Sequence, residues 1–132
     1  MPMTTKTARQ FKSQQIHYLR KSITFADNGL TVEVGVLPAG AQILKPISGV
    51  AVNVAFNGGS TNTLDIGAST DAGSDNFATL LALGTIGFIP LDEVVSGLLA
   101  VDTIISAKVV STASASTGQG EIIIAFIPDN DL

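Results

Sequence analysis

The sequence of 132 residues contains no cysteine and no tryptophan, and it contains a single histidine. Without cysteine, the chain has no disulfide, no thiolate metal ligand and no cysteine nucleophile. No apolar run approaches the ~20 residues that a transmembrane helix requires. The basic residues near the N-terminus are not followed by the apolar core of a signal peptide. We therefore expect a soluble protein, made in the cytoplasm and without a membrane partner.

Charge is also scarce, because charged residues make up 14% of the chain whereas apolar residues make up 45%. A soluble globular domain usually carries about a quarter charged residues. Much of the surface must therefore be uncharged. This composition favours a protein whose surface is partly covered by neighbouring molecules.

The charges are distributed unevenly along the chain. Residues 1–21 contain five basic residues and no acidic one, and the remainder contains two basic and eleven acidic residues. This asymmetry divides the chain into a basic N-terminal arm, residues 1–21, and an acidic β-domain, residues 22–132. Because the arm has too few apolar residues to fold alone, we expect it to bind a partner. The candidate partner-binding residues are Lys6, Arg9, Lys12, His17, Tyr18, Arg20 and Lys21.

Two kinds of partner suit the basic arm. Lysine and arginine beside Tyr18 are a composition that also contacts nucleic-acid phosphates. Five charges are few for that purpose, however, and the rest of the chain is acidic. An acidic protein is therefore favoured over nucleic acid as the partner of the arm.

From Ser22 onward, short alternating apolar and polar runs separated by glycine-containing turns predict β-strands. The clearest strand covers residues 50–56, where every second residue is apolar and should share one face. The Asn-Gly-Gly-Ser segment at 57–60 predicts a hairpin turn into a strand over 61–66. About eight strands with little helical periodicity predict an all-β fold, an antiparallel β-sandwich of jelly-roll type with an extended N-terminal arm.

The second half of the chain is predicted to contain one helix and two long strands. Asp75 or Asn76 can cap a short helix over residues 77–83. Strands are predicted over 101–110 and 121–127, joined by a Ser/Thr/Gly-rich hairpin loop. The consecutive apolar residues of the last strand indicate burial on both of its faces.

The sequence contains no recognisable catalytic motif. His17 lies in the basic arm, far from the carboxylate and formed pocket that a triad requires, so we interpret it as an exposed or interface residue. Asp92 and Glu93 are adjacent and would face opposite sides of a strand, which excludes them as a paired-carboxylate site there. We therefore predict a protein that is not an enzyme and has no catalytic, cofactor-binding or metal residue.

One loop leaves a metal alternative open. Asp65, Asp71 and Asp75 offer carboxylate oxygens of the kind that bind calcium. Their spacing misses the EF-hand pattern and its terminal glutamate. We interpret them as turn and cap residues, with calcium binding as the alternative.

Several segments resemble a known class of proteins. The runs at residues 23–27, 34–40, 52–67 and 122–130 resemble small virion proteins of tailed phages that are encoded near the major capsid protein. That class includes capsid cement or decoration proteins. The resemblance implies a β-sandwich that binds the shell as dimers or trimers and joins capsomers. The shared features are turns and strand faces, so no functional residue is carried over.

The leading hypothesis is a structural virion protein, a cement or decoration protein that stabilises the phage head. Its expected partners are the major capsid protein and further copies of this chain, and its expected location is the capsid surface of the virion, after synthesis in the host cytoplasm. A head-tail, head-fibre or tail component is the first alternative. A carbohydrate-binding β-sandwich module is the second, although such modules usually expose aromatic residues and this chain has one tyrosine and no tryptophan.

Overall fold

The computed structural model of the chain describes residues 15–70, 75–93 and 97–128. In this part of the chain no helix has the length and apolar character needed to cross a membrane. Two single-turn 3-10 helices occur at Phe25–Asp27 and Lys45–Ile47. The strands are β1 (His17–Thr24), β2 (Thr31–Leu37), β3 (Gln42–Ile43), β4 (Gly49–Val54), β5 (Thr61–Ala68), β6 (Ala78–Ala82), β7 (Gly87–Pro90), β8 (Thr103–Thr112) and β9 (Gln119–Ile127).

The strands form two antiparallel sheets. Sheet 1 has the order β1-β9-β4-β7, and the short β3 also pairs with β9. Sheet 2 has the order β2-β8-β5-β6. The two sheets pack face to face, which confirms the predicted all-β antiparallel sandwich.

The core lies between the sheets and follows from the two-residue period of the strands. Successive side chains of a strand point to opposite faces, so every second residue can be buried. Each central strand supplies such a set of apolar residues. The largest fully buried ones are Ile23, Leu37, Val50, Leu64, Ile66, Leu83, Ile105, Val109, Ile122 and Ile124.

The predicted strands near the C-terminus are confirmed as β8, which is shifted by two residues, and β9, which begins two residues earlier than predicted and ends where predicted. Strand β9 lies inside sheet 1 between β1 and β4. Its residues Ile122, Ile124 and Ala125 are buried, while Ile123 is half-buried. Burial on both faces therefore holds for part of this strand only.

The two predicted hairpins are wrong. Strand β4 belongs to sheet 1 and β5 to sheet 2, so these two strands do not pair with each other. Likewise, β8 belongs to sheet 2 and β9 to sheet 1. The chain leaves sheet 1 at Phe56, which is buried and whose N–H donates to the carbonyl of Leu83 at 3.0 Å. The Asn-Gly-Gly-Ser segment is held by Asn62, whose side chain bonds both the N–H and the carbonyl of Gly58 at 2.8 Å. The segment thus connects two sheets and does not close a hairpin.

The predicted apolar face of residues 50–56 is interrupted. Val50, Val52 and Phe56 are buried as expected, but Val54 is 40% exposed. A β-bulge between Val52 and Val54 in the pairing with β9 is the cause. An extra residue in one strand turns the following side chain to the other face.

The predicted helix over residues 77–83 is also wrong, because Ala78–Ala82 forms β6 on the edge of sheet 2. Two carboxylates outside this segment hold its backbone in place. Asp92 accepts the N–H of Thr79 at 2.9 Å, and Asp65 accepts the N–H of Leu80 at 2.7 Å. Leu80 adopts a positive φ of 55° that is incompatible with an α-helix. These bonds join the segment to residues distant in the sequence, and they stabilise a strand where the local sequence predicted a helix.

Strand β1 begins at His17, so residues 17–21 of the predicted arm lie in sheet 1. Residues 1–14, which include Lys6, Arg9 and Lys12, lie outside the described part of the chain. A separate partner-binding arm ahead of β1 remains a prediction.

Candidate docking face

Sheet 1 has an outer face, formed by the residues that alternate with its core-facing side chains. On β1, Leu19 and Ile23 pack in the core. Tyr18, Arg20 and Ser22 consequently point away from it. All three are exposed.

The same alternation defines the face on the other strands. Core-facing Ile122 and Ile124 put Glu121 and Ile123 on the outside of β9. The register places Ala51 of β4 opposite both Glu121 and Phe88 of β7. The outer face of sheet 1 therefore includes Tyr18, Arg20, Ser22, Ala51, Val54, Phe88, Pro90, Glu121 and Ile123.

This face carries large apolar side chains that reach solvent. Tyr18 is 54% exposed and Phe88 is 46% exposed, at opposite edges of the sheet. Half-buried Ala51 and Ile123 lie between them. Exposed apolar side chains on a sheet face make that face a candidate for contact with another protein.

The face contains one ion pair. The Arg20 guanidinium Nη2 donates to Oε1 of Glu121. This hydrogen bond and the carboxylate charge raise the pKa of Arg20 further above its ordinary value. An arginine is charged at every physiological pH in any case, so the pair is not a pH switch. Because both side chains contact solvent, the pair contributes little to stability, and its main effect is to leave the face electrically neutral.

The predicted arm residues in β1 divide between its two sides. Tyr18 and Arg20 lie on the outer face, whereas His17 and Lys21 alternate with them on the core-facing side at the exposed sheet edge. The His17 ring lies 5.7 Å from the ring of Phe126, tilted by 35°. The structure therefore does not gather these four residues into one site.

The outer face of sheet 2 carries charged side chains as well as the exposed apolar residues Val36, Leu80 and Ile104. Cross-strand pairing places Lys108 of β8 directly opposite Asp65 of β5, and Glu33 lies on the neighbouring strand β2. At one end of this sheet, Val101 and Ile104 line a cavity of about 120 Å³. Pockets for drug-sized ligands measure about 300–1,000 Å³, so this cavity is too small for one.

Polar groups of the aspartate loop have structural uses. Asp65 accepts a backbone N–H of β6, and the Asp75 carbonyl accepts the Thr79 hydroxyl at 3.1 Å. Asn76, predicted as a helix cap, instead accepts the N–H of Ala68 at 2.8 Å. Among the described residues, no three His, Cys, Asp or Glu side chains group as metal ligands, and Asp71 lies outside those residues.

Nothing in the sequence pointed to the outer face of sheet 1 as a surface. Glu121 and Phe88 are 33 residues apart and meet through Ala51 on a third strand. Only the strand order brings them together. A single apolar residue in an edge strand, such as Phe88 in β7, gives no indication in the sequence that it belongs to a larger surface.

Comparisons with known proteins give structural matches. No protein-family model and no curated protein matches the sequence. The chain is similar to a chain of the acidic stable capsid structure of Helicobacter pylori bacteriophage KHP30, with a TM-score of 0.70 and 17% identity over 87% of this chain and 89% of that chain. It is also similar to a chain of the cyanophage Pam1 capsid asymmetric unit, with a TM-score of 0.63 and 16% identity over 96% of this chain and 99% of that chain. At these identities the matches show a shared fold.

Proposed function

We propose that this chain is a structural protein of a tailed-phage capsid and that it acts as a cement or decoration protein. The observation that carries the proposal is the two-way coverage of the structural matches. Both matched chains come from phage capsid structures, and each is covered over 89% or more of its own length. The matches therefore cover nearly the whole of each chain and are not limited to one domain of a larger protein.

The strand order supports a jelly roll. The order β1-β9-β4-β7 faces the order β2-β8-β5-β6, and most consecutive strands alternate between the two sheets. Jelly rolls are double-sheet sandwiches that recur in viral capsid proteins. The short β3 is an addition at the edge of that pattern.

The polar side chains support a structural role that involves no catalysis. Four aspartates accept a backbone N–H with a carboxylate oxygen, and three of these bonds join residues at least 13 positions apart in the sequence. Such bonds give each of these carboxylates a structural role in positioning the chain. The four aspartates are Asp27, Asp65, Asp92 and Asp102.

The mechanism of a cement protein follows from linkage. A protein that binds only the assembled shell stabilises it by RT ln(1 + [L]/Kd), which is about 2.7 kcal/mol per site at a hundredfold excess over Kd. The outer face of sheet 1 supplies apolar surface for such contacts. The basic residues ahead of β1 supply charge complementary to an acidic neighbour.

The proposal is tested with shells that lack the protein. Purified chain is added to them, the shells are sedimented, and the temperature of genome release is measured with a DNA-binding dye. We expect saturable binding to the head and a higher release temperature. Binding confined to the neck or tail would favour a head-tail component, and an unchanged release temperature at saturation would contradict the cement role.

A further inference from the structure

Strand β1 ends sheet 1 and has one open edge. Its pairing with β9 runs through eight consecutive residue pairs without a bulge. The Phe25 N–H continues this ladder by donating to the carbonyl of Gly118 at 3.2 Å, whereas the Thr24 N–H turns to the carboxylate of Asp27 at 2.9 Å. Hydrogen bonds to a neighbouring antiparallel strand alternate along the chain, so every second residue counted back from Phe25 bonds β9. The residues whose N–H and carbonyl groups point outward are therefore Tyr18, Arg20 and Ser22.

The other three outermost strands carry features that prevent the addition of a further strand. Short length, proline and bulges are the usual protections of a sheet edge. Strand β7 has four residues and ends at Pro90, which has no N–H. In β6 the N–H of Thr79 is already bonded to Asp92, and β2 has a bulge between Glu33 and Gly35. Strand β1 has eight residues, no proline and a regular register, so its edge is the one best suited to receive a strand.

The basic side chains of β1 determine which strand can be added to it. Two β1 strands joined through their outward groups would place Arg20 opposite Arg20, or Lys21 opposite Lys21 in the next register. Like charges directly opposite each other destabilise a strand pair. The same repulsion disfavours residues 1–14 of this chain as the added strand, because they contain three basic residues and no acidic one. A strand that fits this edge therefore carries acidic side chains.

The two sides of β1 specify the added strand further. Among the described residues, the one ion pair joins Arg20 to Glu121, so Lys21 has no carboxylate partner there. Exposed Lys21 shares one side of β1 with exposed His17, whereas Tyr18, which is 54% exposed, lies on the other side. A complementary strand has carboxylates on the side of Lys21 and apolar side chains on the side of Tyr18.

We propose that the open edge of β1 binds an extended, acidic segment of another protein by strand addition. The outward N–H and carbonyl groups of Tyr18, Arg20 and Ser22 pair with the backbone of that segment, and Lys21 pairs with one of its carboxylates. Main-chain bonds give such a complex its affinity, and side-chain contacts give it specificity. The inference concerns the isolated chain, so it stands or falls independently of the capsid role.

The test uses the full-length, isotope-labelled chain and a synthetic peptide as long as β1, eight residues, that alternates valine and glutamate. At physiological ionic strength charges interact over about 8 Å, so the local charge of the edge outweighs the net charge of the chain. Amide NMR should show saturable binding with a Kd of about 1 mM or tighter. Hydrogen exchange should slow at Tyr18, Arg20 and Ser22 but not at Leu19 and Lys21, whose N–H groups already bond β9. This two-residue period is the signature of an added strand.

Ser22→Pro removes one outward N–H, at an edge position where proline is tolerated, and should weaken peptide binding at least about tenfold. Ser22→Ala is the matched control and should bind as the wild type does, while circular dichroism should show that both variants are folded. Three results would overturn the proposal: no binding of the peptide up to about 5 mM, protection without the two-residue period, or equal binding of a peptide with lysine in place of glutamate. Slow exchange at the outward amides of the chain without peptide would also overturn it, because the edge would then be occupied by the chain itself or by a second copy.

Discussion

Phe56→Ala tests the core of the sandwich most sharply. The Phe56 side chain is 2% exposed, and its ring packs so closely on Gly118 that a methyl group there would lie 2.6 Å from it. Removing the ring takes away about 150 Å² of buried apolar surface, which at ~25 cal/mol per Å² corresponds to a loss of about 4 kcal/mol in the free energy of unfolding. This value falls within the roughly 3–5 kcal/mol seen for such truncations.

The expected effect on melting follows from the chain length. An unfolding entropy of about 2.1 cal/mol/K per residue gives about 0.28 kcal/mol/K for this chain, so Phe56→Ala should lower Tm by roughly 14 °C. Thermal unfolding followed by circular dichroism or calorimetry measures the shift. Asn53→Ser, at an exposed position near the bulge, should change stability by no more than about 0.5 kcal/mol. Equal Tm changes for the two variants would refute the assignment of faces on this strand.

Three further predictions concern other parts of the chain. In Gly49→Ala the new methyl carbon would overlap a backbone carbonyl of β7, so Tm should fall by several degrees, whereas Gly84→Ala, whose nearest atom is 3.9 Å away, should melt near the wild type. Ser48→Ala removes the buried hydroxyl that accepts the N–H of Ala125 at 2.8 Å, which should cost about 1–3 kcal/mol in chemical denaturation; an unchanged midpoint would contradict this role. Deleting residues 1–15 leaves β1 complete and should preserve Tm but weaken shell binding, and binding of the full-length chain should fall as salt rises; equal sedimentation of both forms at every salt concentration would contradict a partner-binding role of the basic arm.

Strand positions were the part of the fold that the sequence predicted well. The alternation that places Val50 and Val52 in the core, and the apolar run that becomes β9, are local features of the chain. The division into a basic arm and an acidic domain stays a prediction, and its boundary at residue 21 falls inside β1.

Pairing between strands could not be predicted from local features. The turn-like segment at 57–60 fits a hairpin, yet the chain crosses to the other sheet because Phe56 is buried and bonded to Leu83. The segment at 77–83 has apolar spacing compatible with a helix, yet Asp65 and Asp92 fix it as a strand. In both cases partners distant in the sequence determine the conformation. The candidate docking face depends on the same distant pairing, so it too was invisible in the sequence.

The most direct test of the proposed capsid role is a cryo-microscopy reconstruction of phage particles purified from cells that produce this chain. We predict that the two-sheet sandwich fits density on the outside of the head, at sites where neighbouring capsomers meet. Density for this fold only at the neck or tail, or its absence from particles in which mass spectrometry detects every other head protein, would contradict the cement role.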